Sequence, residues 1–225
     1  MEDQSLAISF SDSLTEEVSC CVSEFVEIGI DSLLDDGLTK DIPFLSTITS
    51  IYKIGSTIHE RHHLKKLAIF LNEINRGVAD EEKRQSYRRK FVTQKEYRSS
   101  ELEYVTIVLD HYIGFDKAGM LAKLYIAYLD ESIDWIEFKK YGEVIDRFLP
   151  GDASVLIRAD NDFLPADSGT IDSILRLLSM GVVSQNVGLE VTDDGNGNVA
   201  LASAEGYKFT TFGIKLKSII RNYYI

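Results

Sequence analysis

The chain has 225 residues, of which 44% are hydrophobic and 27% charged, and its formal net charge is −12 at pH 7. A chain of this length and apolar content can bury a substantial core, which excludes disorder over most of its length. The acidic balance argues against general affinity for nucleic acid, because binding to phosphates requires lysine and arginine to displace counterions.

The sequence predicts a cytoplasmic protein. Its first residues, MEDQSLAISFSDSLTEE, lack the basic and apolar regions of a signal peptide. Cys20 and Cys21 are adjacent in a predicted helix, where their side chains diverge by about 100°, so they cannot form a normal disulfide with each other. No run approaches the roughly 18 apolar residues of a transmembrane helix. The uncharged segment Ile42–Tyr52 favours a buried helix, with a membrane surface as the alternative.

Charge is distributed unevenly along the chain. Residues 1–41 hold eleven acidic side chains and one lysine, whereas residues 53–98 hold twelve lysines and arginines against six acids. The most basic segment is KRQSYRRK, Lys83–Lys90. Nucleic-acid binding by this segment competes with a solvated helix face, pairing with the acidic N-terminal helix, and pairing across a homo-oligomer. The candidate partner or nucleic-acid contacts are Arg84, Arg88, Arg89 and Lys90.

Two helices are predicted in the first 80 residues. The first begins at the capping-box pattern of Ser13 and Glu16 and ends near Gly37. The second begins after Pro43, a favourable first-turn residue, and continues to about Asn75.

The apolar stripe of the second helix changes sides at the run HERHH, His59–His63. At 100° per residue, the apolar residues before this run and those after it lie on nearly opposite faces. The sequence therefore predicts a kink, a break or a change of packing partner at the histidines. The later stripe consists of Leu64, Leu67, Ala68, Leu71 and Ile74.

The same run satisfies the HExxH pattern of zinc hydrolases, with His59 and His63 at metal-ligand spacing and Glu60 as a candidate general base. Arg61 and His62 fill positions that are usually uncharged in these enzymes, and a guanidinium beside Zn²⁺ opposes metal binding. No third ligand stands in a recognised downstream arrangement. We therefore interpret the match as adventitious and predict no catalytic residue, no metal site and no cofactor.

Three further helices are predicted between residues 100 and 150. One contains LEYVTIVLDHYIGF, the next follows Asp116 as its N-cap, and the third starts at the capping pattern of Asp134 and Glu137 and stops before Pro150. Trp135 in this third helix is predicted to be a core or staple residue. Residues 1–160 are therefore predicted to form a helical bundle domain.

Residues 161–225 change in character. TIDSILRLLSMGVV predicts a helix ending near Gly181, VGLEVTDDGNGNVALAS predicts two strands around a turn, YKFT predicts another short strand, and TFGIKLKSIIRNYY predicts a closing helix. This order, and the phrase YKFTTFGIKL, resemble a winged helix. The fold class is thus mainly α, a helical bundle followed by a small α+β winged-helix-like domain. Its expected recognition helix carries only Arg176, which favours protein contacts over DNA.

Two stretches resemble a more specific group of proteins. LTKDIPFLSTITSIYKIGSTIHERHHLKKLAIFLNEIN and LDHYIGFDKAGMLAKLYIAYLDESIDWIEFKKYGEVIDRF are similar to bacterial and phage proteins related in style to the Abi-alpha abortive-infection family. The resemblance covers about residues 38–150 and the winged-helix-like end. It implies a role in phage–host conflict and supplies no catalytic residues.

The sequence as a whole favours a non-enzymatic protein that acts through a protein partner or as a homo-oligomer in phage defence. One alternative is a winged-helix DNA-binding regulator. Another is a membrane-acting abortive-infection effector whose segment 42–58 is released on activation.

Overall fold

The computed structural model describes two compact units, Met1–Asp146 and Arg147–Ile225. The division falls before a short helix at Asp152–Arg158, whereas the sequence predicts a boundary after residue 160. The described residues are Phe10, 57–77, Glu82, Gln85, Ser86, Arg89, Thr93, 95–159, 163–164, 169–193 and 199–221.

The described part of the first unit is helical, which confirms the predicted mainly α architecture. The predicted capping box of α4 is also confirmed: Glu137 N donates to Asp134 Oδ1 at 2.7 Å, and Asp134 N donates to Glu137 Oε2 at 3.1 Å. The helices are α1 (Ile58–Gly77), α2 (Lys95–His111), α3 (Phe115–Leu129) and α4 (Trp135–Asp146).

One predicted helix is interrupted, and one predicted helix start is wrong. Helix α1 begins at Ile58 after a bend at Thr57, so the helix predicted to run to about Asn75 is broken there, while its predicted start after Pro43 lies outside the described residues. Helix α3 has Gly114 at its N-cap, and Asp116 lies inside the first turn without a side-chain cap hydrogen bond. A carboxylate in the first turn still interacts favourably with the positive end of the helix dipole. The helix predicted after Ser13 and the segment 42–56 lie outside the described residues.

The core of the first unit forms where α3 packs against α1 and α4. Tyr125 is fully buried, and its ring centroid lies 5.5 Å from that of Phe70 and 5.6 Å from that of Phe138. Trp135, predicted to be a core or staple residue, is half-buried and stacks on the buried Phe138 at 4.9 Å. The predicted stripe of α1 is confirmed as buried, at 3% exposure or less, in Leu64, Leu67, Ala68, Leu71 and Ile74.

A buried carboxylate is hydrogen-bonded within this core. Glu101 of α2 is 2% exposed and accepts hydrogen bonds from the hydroxyls of Tyr125 at 3.1 Å and Tyr128 at 2.6 Å. Buried charged groups require such partners, because desolvation without them is costly. The two tyrosines thereby tie α3 to α2.

The second unit combines helices with a small antiparallel sheet of strand order β1-β3-β2. Strands β2 and β3 pair without interruption from Val183↔Phe209 to Asp193↔Val199, which confirms the predicted hairpin. The separate strand predicted at YKFT is wrong, because Tyr207–Phe209 continues the ladder as the end of β3. The elements are α5 (Asp152–Arg158), β1 (Phe163–Leu164), α6 (Ile171–Ser179), β2 (Val183–Asp193), β3 (Val199–Phe209) and α7 (Thr211–Arg221).

Thr210 and Gly213 join α7 to the end of α6. The Thr210 hydroxyl donates to the Gly181 carbonyl at 2.7 Å and accepts from Gly213 N at 3.0 Å, so it caps α7. Gly213 lies directly against the backbone carbonyl of Val182, where an added Cβ would collide. Only glycine therefore permits this approach of helix and strand.

Within the described residues, no helix is both long enough and apolar enough to cross a membrane. The segment 42–58, on which the membrane alternative depends, lies almost entirely outside those residues.

We predict that Gly213→Ala destabilises the protein by about 1–3 kcal/mol, although alanine is the better helix former by about 1 kcal/mol. The added methyl group must displace the Val182 carbonyl. Urea unfolding measures the change. Ser218→Ala, at an exposed position of the same helix, is the control and should stay within about 0.5 kcal/mol of the parent. A Gly213→Ala variant as stable as the parent would contradict this packing.

Candidate functional site

The run HERHH lies beside the C-terminus of α2, where polar side chains of two helices meet. We call this group the histidine–lysine cluster and define it as His59, His63 and Lys66 of α1 with Asp110 and Tyr112 at the end of α2. It contains both histidines of the predicted motif, and its geometry decides what that motif can do.

Glu60 has a structural role at the start of α1. Its carboxylate accepts a hydrogen bond from Thr57 N at 3.0 Å, and Glu60 N donates to Thr57 Oγ1 at 3.2 Å. This reciprocal pair is a capping box, with threonine at the N-cap and glutamate at the third helical position. The glutamate of the HExxH pattern is thus engaged in starting the helix.

His59 and His63 both face the carboxylate of Asp110. His59 Nε2 lies 3.5 Å from Asp110 Oδ1, and His63 Nδ1 lies 3.4 Å from the same oxygen. The side chain of His59 is 74% exposed, whereas that of His63 is 12% exposed, and the buried Nδ1 atom of His63 has no hydrogen-bond partner among the described residues. The helical spacing i, i+4 therefore places both rings over one acid from the next helix.

Burial lowers the pKa of His63 to about 4, because the charged imidazolium is poorly solvated there. The carboxylate of Asp110 opposes this shift, while the nearby charges of Lys66, His59 and His62 reinforce it. His63 is consequently neutral at pH 7 and faces Asp110 as a neutral ring.

Lys66 is the most deeply buried charge of the cluster, at 2% exposure. Its ammonium donates to the carbonyls of Asp110 at 2.9 Å and Tyr112 at 2.6 Å. The last carbonyls of a helix have no partner within the helix, and a cation there also interacts favourably with the helix dipole. Lys66 therefore caps α2, although burial lowers its pKa.

The remaining polar residues of this turn pack against an aromatic ring. The rings of His62 and Phe115 lie 4.5 Å apart, and Lys65 Nζ lies 4.8 Å from the Phe115 ring centroid. Burial, together with the charge of Lys66, lowers the pKa of His62. HERHHLKK thus contacts both α2 and the start of α3, and it ranges from exposed residues at its start to buried ones at its end.

Two features of the described residues oppose zinc binding by the HExxH pattern. Glu60 caps the helix, and the positive charge of Lys66, which helps to lower the pKa of His63, would oppose a second cation. Among the residues that the structure describes, no three His, Cys, Asp or Glu side chains are placed to hold a metal ion.

The basic segment is described at only one of its four predicted contact residues. Arg89 is helical and exposed, its Nε donates to the Gln85 carbonyl at 3.4 Å, and its own carbonyl accepts from Thr93 Oγ1 at 2.7 Å. The other three candidates, Arg84, Arg88 and Lys90, lie outside the described residues.

Arg176 of the second unit is engaged within that unit. Its Nη2 lies 2.7 Å from Asp152 Oδ1 and its Nε lies 3.0 Å from Asp152 Oδ2, which is a bidentate pair. Asp152 is fully buried and also accepts from Leu149 N at 2.8 Å. Burial raises the pKa of Asp152, but the hydrogen bonds from Arg176 and Leu149 outweigh it, so the net pKa is lowered.

Sequence reasoning missed three of these features. The Thr57 and Glu60 pattern was readable as a capping box, but it overlaps the HExxH match. The pairs Lys66–Tyr112 and Asp152–Arg176 join residues 46 and 24 positions apart, so no local sequence pattern predicts them.

We predict that Lys66→Met lowers the free energy of unfolding by about 2–4 kcal/mol, because it leaves the carbonyls of Asp110 and Tyr112 without a donor. Methionine keeps most of the apolar stem, so the loss reports on the ammonium. Chemical denaturation measures it, with the exposed Lys140→Met of α4 as the matched control. Equal stability of the two variants would contradict the capping role.

We predict that His63 makes folding stability pH-dependent between pH 6.5 and about 4. In this window the unfolded chain binds a proton at residue 63 and the folded chain does not, so stability falls as the pH falls. The full effect is on the order of 3 kcal/mol.

Unfolding of the parent and of His63→Gln at pH 7.5 and pH 5 isolates this contribution. The variant should lose part of the pH dependence, whereas the exposed His111→Gln should keep all of it. Identical pH dependence in the parent and in His63→Gln would show that residue 63 stays solvated.

The chain was also compared with known proteins. No family model, no characterised protein and no solved structure matches it.

Proposed function

We propose that this chain is a non-enzymatic interaction protein whose second unit is a winged-helix-like module that contacts a protein partner. The winged-helix likeness is supported by the order of α6, the β2–β3 hairpin and the closing α7, and by the phrase YKFTTFGIKL at the join of strand and helix. The module would present α6 in the position of a recognition helix.

The observation that carries this proposal is the surface of α6. Its exposed residues are Asp172, Leu175 and Ser179, which fall at i, i+3 and i+7 and therefore share one face. Leu175 is 47% exposed. A face with one acid, one leucine and one hydroxyl suits a protein surface, whereas contact with a phosphate backbone requires cations.

The ion pair of Arg176 supports the same conclusion. Arg176 is the only basic residue of α6, and both Nε and Nη2 are bound to the carboxylate of Asp152. Releasing the arginine toward DNA would leave a buried carboxylate without its cation, which is strongly unfavourable. Arg176 therefore stabilises the module and is not available as a phosphate contact.

The non-enzymatic part of the proposal is supported by the histidine–lysine cluster. Glu60 caps α1, His63 faces Asp110, and Lys66 caps α2, so these three polar groups of the run HERHHLKK have structural roles. The setting in phage–host conflict is supported by the resemblance to Abi-alpha-like proteins.

DNA binding is the second candidate, and Arg89 favours it. This residue is exposed on a helical segment, in the most basic stretch of the sequence. Among the described residues, its Nε donates to the Gln85 carbonyl of the same segment.

We predict that a photo-crosslinking amino acid at position 175 of the intact chain captures a protein other than this chain in phage-challenged bacterial cells. The same group at Lys208, an exposed residue of β3, is the control and should capture none. Mass spectrometry identifies the adduct.

Leu175→Glu should then remove both the adduct and any protection against phage measured by efficiency of plating. The opposite outcome is DNA retention that falls with salt and is lost on Arg89→Ala, without any adduct at position 175. It would replace the interaction proposal with the DNA-binding candidate.

A further inference from the structure

Phe10 joins the N-terminal part of the chain to the core of the first unit. Its side chain is 1% exposed, and its ring centroid lies 6.5 Å from that of Tyr125 of α3, in an edge-to-face arrangement. A buried aromatic ring in this geometry is a large apolar contact. Residue 10 is therefore fixed against α3.

Tyr125 lies where the second half of α1 and the start of α2 meet α3. Its ring packs against Phe70 of α1, and its hydroxyl donates to Glu101 in the second turn of α2. Gly77, the last residue of α1, lies directly against the side chain of Ile126, the neighbour of Tyr125. The N-terminal part of the chain is thus anchored at the end of the first unit where the chain leaves α1 and later enters α2.

The basic segment, Lys83–Lys90, is part of this connection between α1 and α2. Residues 83–90 hold five lysines and arginines and no acid, which gives a formal side-chain charge of +5. Arg89 is exposed and stands six positions before Lys95, the first residue of α2. Six residues span at most about 21 Å. The chain topology therefore brings the basic segment to the end of the first unit at which residue 10 is anchored.

The sequence on both sides of Phe10 carries the opposite charge. Residues 1–41 contain eleven acids and one lysine, a formal side-chain charge of −10. Asp12, Glu16 and Glu17 follow Phe10 within seven positions, a reach of at most about 24 Å. A segment tethered beside its site has a high effective concentration there, which favours pairing within the chain over capture of a separate molecule.

We propose that the acidic N-terminal segment, residues 1–41, is the partner of the basic segment within the same chain, and that Phe10 holds it there. A single exposed ion pair contributes little, whereas several carboxylates facing five cations attract them together. The pairing neutralises the basic segment and so makes it unavailable to the phosphates of nucleic acid. It does not depend on the partner proposed for the second unit.

Zero-length coupling of the full chain with a carbodiimide tests the pairing, because this reagent joins a lysine only to a carboxylate in contact with it. Mass spectrometry of the monomer band from a gel restricts the links to contacts within one chain. Lys123 Nζ lies 3.1 Å from Glu73 Oε2, and this pair is the internal control. We expect Lys83 or Lys90 to be linked to acids of residues 1–41. Formation of the control link without any such link would overturn the pairing.

Two variants test the role of Phe10. Phe10→Ala should lose the links of the two basic-segment lysines and keep the Lys123–Glu73 link, which establishes that the first unit is folded. Phe10→Leu, which keeps a large apolar side chain, should retain both kinds of link. Links that persist in a folded Phe10→Ala would show that residue 10 does not hold the acidic segment.

The parent chain decides the pairing even if Phe10→Ala fails to fold, because its coupling requires no variant. Retention of the parent on DNA that falls with salt and is lost on Arg89→Ala would also overturn the proposal. It would show that the basic segment is free to bind nucleic acid.

Discussion

The first unit depends on the hydrogen bonds between the buried ammonium of Lys66 and the end of α2. Lys66 donates to the carbonyls of Asp110 and Tyr112, which are among the acceptors that a helix cannot satisfy by itself. Tyr112 also contacts α4, because its buried hydroxyl donates to the Gly142 carbonyl at 2.9 Å. One side chain of α1 thus fixes the end of α2, and through Tyr112 that end is joined to α4.

The same device recurs at other helix ends. Lys117 of α3 donates to the carbonyl of Asp146, the last residue of α4, at 2.6 Å. Lys217 of α7 donates to the carbonyl of Ala159, which follows α5. In each case a lysine distant in sequence satisfies a C-terminal carbonyl and complements the negative end of the helix dipole. These contacts give Lys117 and Lys217, which are half-buried, and Lys66, which is buried, a common role at helix ends.

The fold was predictable where the deciding interactions are local. Asp134 and Glu137 form their capping box within three residues, and the buried stripe of α1 follows from helical spacing alone. The start of α3 was misassigned because aspartate is a frequent N-cap, whereas here Gly114 takes that position. The uninterrupted β3 was split in two because its sequence contains a glycine and alternating small residues that resemble a turn.

The candidate site was less predictable, because its deciding contacts join distant parts of the chain. The HExxH spacing correctly places His59 and His63 on one face, but the partner they share, Asp110, could not be read from their own segment. From the sequence, Arg176 is the one cation of a predicted recognition helix. Its structural role becomes visible only in its contact with Asp152. In both cases a contact with a residue distant in sequence, rather than the local pattern, determines the role of the side chain.

The central claim is that Lys66 and Tyr112 act as one unit in joining α1, α2 and α4. A double-mutant cycle of Lys66→Met and Tyr112→Phe, followed by urea unfolding, measures this coupling directly. Loss of the ammonium should release the Tyr112 carbonyl from α1. Removing the Tyr112 hydroxyl should then lower the free energy of unfolding by less than it does in the parent, which corresponds to a coupling free energy of about 1 kcal/mol or more. Additive losses, within about 0.3 kcal/mol, would contradict the claim, since the two groups would then stabilise the unit independently.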